Sequence, residues 1–186
     1  MDKLYNSIII SNFLKMIKSR YSYVNTLELL QAADMELYQI EDEECWFTQD
    51  QVDRFYDKLV RMTKNPGIAR EAGLYSASPE ALGTMKRYVM GLLGPGKVFE
   101  KVEQIANGYT RSSRYMSRRL SRNSVEIIVT PNPGIEEQLY QCENRIGYFE
   151  AIVRVFNYRM PRIEHTECML KGAPHCRYKI TWQESP

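Results

Sequence analysis

The sequence predicts an α+β domain, with a helical N-terminal half packed on an antiparallel sheet that ends in a C-terminal hairpin. Before residue 108, apolar residues recur at the three- and four-residue spacing of amphipathic helices. After residue 108, β-branched runs separated by turn residues are typical of strands. The last two such runs, 162–170 and 176–182, are joined by a turn containing Gly172 and Pro174, which predicts the hairpin.

Length and composition indicate a single domain over residues 1–186. Of these 186 residues 44% are apolar, which is enough for a core without disulfide bonds. The formal net charge of +2 gives no bulk electrostatic reason to bind nucleic acid or an anionic membrane. No apolar run reaches the roughly eighteen residues that a membrane-spanning helix needs. The four cysteines occur without an export signal, so we expect reduced thiols or metal ligands in a cytoplasmic protein.

Capping residues position the helices of the first half. Asp2 is predicted to cap a helix that ends near residue 20. Asn25, with Glu28 three residues later, is close to a capping box, and Thr48 with Gln51 is a second box that begins an amphipathic helix. The other predicted elements are helices at 68–73, 79–93, 98–107 and 142–156, and strands at 109–120 and 124–130.

The strongest candidate for a chemical site lies at the C-terminal end, where residues 163–182 contain both histidines and two of the four cysteines. Cys168 and Cys176 flank the hairpin turn, and Cys142 is at the start of the preceding helix. Together with His165 they offer three thiolates and one imidazole, a ligand set that suits a closed tetrahedral zinc site with a structural role. Such an ion would tie the hairpin to the helix.

Spacing alone leaves alternatives to this site. His175 is a rival to His165 as the fourth ligand. Residues three apart in a regular strand point to opposite faces, so His165 and Cys168 can share an ion only at a bulge or a strand end. Without a metal, Cys142 and Cys168 would be small buried hydrophobes and the histidines would lie on the surface. Cys45 follows an acidic run and is predicted to pack.

The hairpin carries a glutamate-cysteine pair, a glycine turn, and a second cysteine followed by a basic and an aromatic residue, as Glu167-Cys168, Lys171-Gly172-Ala173-Pro174 and Cys176-Arg177-Tyr178. With this pattern, residues 141–182 resemble the C-terminal part of the 4-vinyl-reductase domain, a small-molecule-binding sensor module of bacterial phenol-sensing regulators. The resemblance implies a homodimer and a zinc site that is completed by Cys142 and by His165, where the family more usually has a carboxylate. It also implies a wider fold group that includes haem-based nitric oxide sensors and TRAPP-type tethering subunits.

The stretch Tyr115-Met116-Ser117-Arg118-Arg119 resembles the Y-x-S-x-R motif that the haem-based sensors use for haem propionates. No histidine precedes position 165, so the sequence lacks the proximal ligand of such a sensor. We therefore expect no haem.

A local excess of basic residues occurs at Arg111, Arg114, Arg118, Arg119 and Arg122. No aromatic platform or recognition helix accompanies it, so a solvated strand face is expected and no nucleic acid is predicted to bind this domain. Neither a serine nucleophile with a free base nor a glycine-rich phosphate loop is present in the sequence, and the chain is predicted not to be an enzyme.

The resemblance favours a non-enzymatic sensor that binds a small apolar or aromatic molecule. The expected partners are that ligand, a second copy of the chain, and a C-terminal output module such as a histidine kinase, a cyclase or a transcription regulator. The alternative is a protein-interaction or structural adaptor of the same fold with a filled core. The residues predicted to line the pocket, each of which could instead be ordinary core, are Met85, Val89, Ile127, Phe149, Ile152 and Ile163.

Overall fold

The computed structural model describes residues 2–83, 93–156 and 158–183, and it confirms the α+β class. The labelled helices are α1 (Ser7–Arg20), α2 (Thr26–Ala32), α3 (Leu37–Glu41), α4 (Gln49–Thr63), α5 (Ile68–Tyr75), α6 (Pro95–Glu100), α7 (Val102–Asn107) and α8 (Leu139–Arg154). Residues 79–83 are also helical. The strands are β1 (Lys3–Asn6), β2 (Trp46–Thr48), β3 (Ser113–Ser121), β4 (Ser124–Pro131), β5 (Arg162–Glu167) and β6 (Cys176–Thr181).

Local capping chemistry explains where several helices begin. The side chain of Asn25 accepts hydrogen bonds from the backbone N–H groups of Leu27 and Glu28, as predicted. Thr48 and Gln51 form the predicted capping box at the start of α4. The predicted cap at Asp2 is wrong, because the chain first forms β1 and the side chain of Asn6 caps α1. Residues 3–6 are extended because β1 pairs with β2. Helix-capping rules consider only neighbouring residues, so they cannot predict this pairing.

The main sheet has four antiparallel strands in the order β3-β4-β6-β5. The predicted C-terminal hairpin is β5 and β6, joined by a 3₁₀ turn at Met169–Lys171. The register of β5 shifts between His165 and Glu167, and the strand ends one residue before Cys168. This irregularity provides the bulge and the strand end that the spacing of His165 and Cys168 required.

The buried apolar side chains form two separate clusters. One belongs to the N-terminal segment and contains residues of β1, β2 and α1–α5, and the other lies between the main sheet and α6, α7 and α8. Helices α5 and α8 pack closely against each other and join the two halves. No helix of the described residues is long and apolar enough to cross a membrane. Met85 and Val89 lie outside the described residues.

Candidate ligand cavity and metal centre

The structure brings together the three cysteines that the sequence singled out. Cys142 lies near the start of α8, Cys168 follows β5, and Cys176 is the first residue of β6. Their sulfur atoms all lie within 4.8 Å of one another, and each side chain is buried. Cys45 packs at the edge of the N-terminal cluster and takes no part in this group. Three converging thiols are a suitable ligand set for a thiophilic ion such as zinc.

The two histidines have different surroundings. The ring of His165 stacks on Tyr178 with centroids 4.2 Å apart, and its Nε2 is buried without a hydrogen-bond partner among the described residues. His175 Nε2 instead lies 2.6 Å from a carboxylate oxygen of Glu167 and 3.2 Å from Arg177 Nη2. A buried nitrogen without a partner is unfavourable, and a metal ion would satisfy it. Neither histidine belongs to the group of atoms that lie within 4.8 Å of one another, which contains the three sulfur atoms. The buried, unpartnered Nε2 makes His165 a better candidate than His175 for a fourth ligand.

The thiols are poised to bind a cation. Cys142 Sγ and Cys176 Sγ lie 3.9 Å apart and share a hydrogen bond. That contact lowers the pKa of Cys176 and raises the pKa of Cys142, because it stabilises the thiolate of Cys176 and the protonated thiol of Cys142. His165 lies close enough to Cys176 to contribute to the lower pKa of that thiol. A bound metal would take the place of the remaining proton.

A buried arginine lies beside the thiol cluster. Arg145 Nη1 is 3.9 Å from Cys142 Sγ and 3.3 Å from the hydroxyl of Tyr178. Its Nε donates to the hydroxyl of Tyr115 at 2.9 Å, and its Nη2 donates to Glu137 at 2.7 Å. Burial alone would raise the pKa of the Glu137 carboxyl, but Arg145 and two serine hydroxyls hold it below its ordinary value. Glu137 and Arg145 are therefore both charged inside the protein.

A cavity of about 140 Å³ lies between the two apolar clusters. Its walls come mainly from α1, α4, α7 and α8, together with Tyr5 of β1 and Tyr115 of β3. Of the predicted pocket residues, Phe149 and Ile152 line it. Ile127 and Ile163 do not, because they pack in the cluster beneath the sheet, where aromatic side chains fill the interior. The cavity is thus displaced from the predicted position, toward the N-terminal helices.

Several polar groups in the cavity wall bond to one another. Tyr5 and Gln141 are hydrogen-bonded, Thr110 pairs with Ser112, and Glu137 pairs with Arg145. None of the described lining residues has a buried side-chain nitrogen or oxygen without a partner. Sequence reasoning missed the role of Arg145, although its position three residues after Cys142 and four before Phe149 places it on the buried stripe of α8.

No protein-family model matches the chain, and no curated protein matches its sequence. Solved structures do match its fold. An H-NOX protein from S. oneidensis in the Fe(II)NO ligation state has a TM-score of 0.74 at 13% identity, covering 96% of this chain and 99% of that one. An oxygen-binding H-NOX domain related to soluble guanylate cyclases has a TM-score of 0.65 at 15% identity, with coverages of 96% and 95%. A structure solved to probe haem distortion in the H-NOX family gives 0.61 at 16% identity, with coverages of 97% and 96%.

These matches correct the prediction that no haem is expected, since the solved structures that share the fold include haem proteins. A histidine-ligated haem does not fit the described wall of the cavity, however, because His165 and His175 both lie outside it. Tyrosine phenolates are the alternative axial ligands for a haem iron in this cavity. Burial raises the pKa of Tyr5, Tyr109 and Tyr148, and a raised pKa disfavours the phenolate form.

The arginine of the Y-x-S-x-R stretch, Arg119, already bonds to other groups of the protein. The guanidinium of Arg119 donates hydrogen bonds to the carbonyl oxygens of Ser121 and Arg122, and it forms an ion pair with Glu100. It also passes so close to Gly96 that a Cβ at that position would clash with it. The side chain expected to bind a propionate therefore already has partners. The comparisons show the fold of H-NOX domains and do not show the narrower 4-vinyl-reductase assignment. At 13–16% identity, the fold of H-NOX domains is what this chain shares with them.

Proposed function

We propose that the chain is a non-enzymatic sensor domain that binds a small, uncharged, apolar or aromatic molecule in the cavity between its two halves. The observation that carries the proposal is a cavity whose wall is mostly apolar and whose two charged groups, Glu137 and Arg145, are paired with each other. Its volume of about 140 Å³ is close to that of an engineered apolar cavity of about 150 Å³ that binds benzene.

The electrostatics of the cavity select against charged ligands. Glu137 and Arg145 neutralise each other, so a ligand carboxylate or ammonium group would find no unpaired countercharge in the described wall. Burying such an ion unpaired is strongly unfavourable. We therefore expect toluene to bind and benzoate, which is similar in shape, not to bind.

Calorimetric titration with toluene and with benzoate tests this proposal, and a parallel absorption titration with ferric haem tests the cofactor of the related structures. We expect toluene to bind and benzoate not to bind, and the haem titration shows whether this chain binds the cofactor of the related structures. Val52→Phe, which fills the cavity from α4, should abolish that binding, whereas Val60→Phe on the same helix, outside the lining, should retain it. If toluene does not bind, the structural adaptor is favoured. If haem binds stoichiometrically and prevents toluene from binding, haem is the ligand of the cavity and the proposal of an aromatic ligand is wrong.

We further propose that Cys142, His165, Cys168 and Cys176 bind one metal ion, for which zinc is the test ion. The converging thiols and the unpartnered Nε2 of His165 support this site. Elemental analysis of purified protein should find about one zinc per chain, as expected for one closed four-ligand site. Cys168→Ser should lose most of the metal, and Cys45→Ser is the matched control that should retain it. Less than half an equivalent in the wild-type protein contradicts the site.

Two further parts of the proposal rest on the sequence resemblance: a homodimer, and an output module that receives the signal, such as a histidine kinase, a cyclase or a transcription regulator. The proposed cytoplasmic location rests instead on the four cysteines without an export signal. Sedimentation analysis tests the dimer directly. A monomer at all accessible concentrations would remove that part of the proposal and leave ligand binding unaffected.

A further inference from the structure

Arg145 is in contact with both the cavity and the thiol cluster. Its side chain lines the cavity together with Tyr115 and Glu137, to which it is hydrogen-bonded. On its other side, Nη1 faces Cys142 Sγ at 3.9 Å. With a side-chain exposure of 6%, the guanidinium is enclosed by these partners and by the cavity.

A second contact connects the same arginine to the histidine. Arg145 Nη1 lies 3.3 Å from the hydroxyl of Tyr178, and the ring of Tyr178 stacks on that of His165. Arg145 thus touches one of the four proposed metal ligands directly and a second, His165, through one intervening ring. The remaining two proposed ligands, Cys168 and Cys176, lie on the hairpin, whereas Cys142 lies on α8.

We propose that Arg145 couples the two sites, so that an uncharged occupant of the cavity strengthens metal binding at the thiol cluster and metal binding strengthens occupancy of the cavity. This inference rests on the proposed ligand and metal sites. An apolar occupant excludes water from the cavity and keeps the guanidinium against Cys142. There its positive charge stabilises the negative charge of a three-thiolate site more strongly, because the local dielectric constant is lower.

The coupling has a measurable size and must be reciprocal. Allosteric couplings of this kind change affinity by about 5–150-fold, and each ligand changes the affinity for the other by the same factor. We therefore expect saturating toluene to tighten zinc binding by about fivefold or more. Removal of zinc should weaken toluene binding by the same factor.

The test measures zinc affinity by competition with a chromophoric chelator, with and without toluene, on the full chain. The double variant Arg145→Gln with Glu137→Gln keeps the net charge and leaves no unpaired buried ion. Its zinc affinity with toluene divided by that without toluene should fall to about one, the value for uncoupled sites. The matched control, Lys58→Gln with Glu28→Gln, removes an ion pair outside the cavity wall and should keep the ratio of the wild-type protein.

The outcomes separate this inference from the proposed function. If toluene and zinc both bind the wild-type protein but do so independently, the coupling is overturned and the proposed sites stand. If the ratio persists in the Arg145 double variant, another path carries the coupling and the role of Arg145 is overturned. If toluene or zinc does not bind at all, the corresponding site fails and the coupling fails with it. The reciprocal measurement in the wild-type protein decides the coupling even if the double variant does not fold.

Discussion

Glu137 and Arg145 form an ion pair of 2.7 Å in which the two side chains are 1% and 6% exposed. Glu137 also accepts hydrogen bonds from the hydroxyls of Ser112 at 2.8 Å and Ser113 at 2.6 Å. A buried ion pair offsets its desolvation only when such additional hydrogen bonds satisfy both partners. This pair joins the segment before α8 to the start of β3 and to the thiol cluster, so its integrity matters to both proposed sites.

Removal of one partner of this pair should be strongly destabilising. Glu137→Leu leaves the buried Arg145 guanidinium without its countercharge, and we expect the free energy of unfolding to fall by about 3–5 kcal/mol. Urea denaturation measures the change. The control is Lys97→Gln, which removes an exposed pair with Glu100 and should cost less than about 1 kcal/mol. Equal losses in the two variants would contradict the buried pair.

The same carboxyl should make stability depend on pH. The pKa of Glu137 in the folded chain lies below its ordinary value of 4.5, so on acidification the unfolded chain takes up the proton first. The stabilisation from Glu137 is therefore complete above that value and is lost progressively as the pH falls below it. Glu137→Gln should be less stable at neutral pH but should lose less stability between pH 4.5 and about pH 3. Glu136→Gln, at the exposed neighbouring position, should follow the wild-type curve.

The contact between α5 and α8 should not tolerate a methyl group. A Cβ on Gly147 would lie 2.1 Å from the carbonyl oxygen of Arg70, and a Cβ on Gly73 would lie 2.2 Å from that of Asn144. Backbone atoms cannot move aside as a flexible side chain does, so Gly147→Ala should lower the free energy of unfolding by about 3 kcal/mol or more. Gly108→Ala, whose nearest neighbour is at 3.4 Å, is the control. Equal melting temperatures for both variants would show that the helices separate at little cost.

Substitution of each histidine should distinguish the metal ligand from its rival. His165→Ala removes the buried, unpartnered Nε2. We expect zinc affinity, measured by chelator competition, to fall by more than the roughly 10–100-fold typical of losing an outer-shell partner. His175→Ala removes a side chain that bonds Glu167 and Arg177, and it should leave zinc affinity within a factor of about ten. The reverse order would assign the fourth ligand to His175.

Much of the local structure could be predicted because its causes lie within a few residues. Asn25 and the Thr48–Gln51 box place the starts of two helices through hydrogen bonds that span two or three residues. The switch to β-branched runs predicted the strands of the sheet, and the turn residues predicted the hairpin. The start of the first helix was missed because β1 exists only by pairing with β2, some forty residues away.

By itself, the sequence determined the α+β class, the C-terminal hairpin and the identity of the three cysteines, because residue type and short spacing encode them. Only the tertiary structure decided which histidine nitrogen lacks a partner, where the cavity lies, and that Arg145 stands between cavity and thiols. Those features depend on contacts such as the hydrogen bond from Gln141 to Tyr5, 136 residues apart. Hydrophobic periodicity shows which face of a helix is buried but not what it is buried against, so the packing of the two halves had to be seen before the site could be placed.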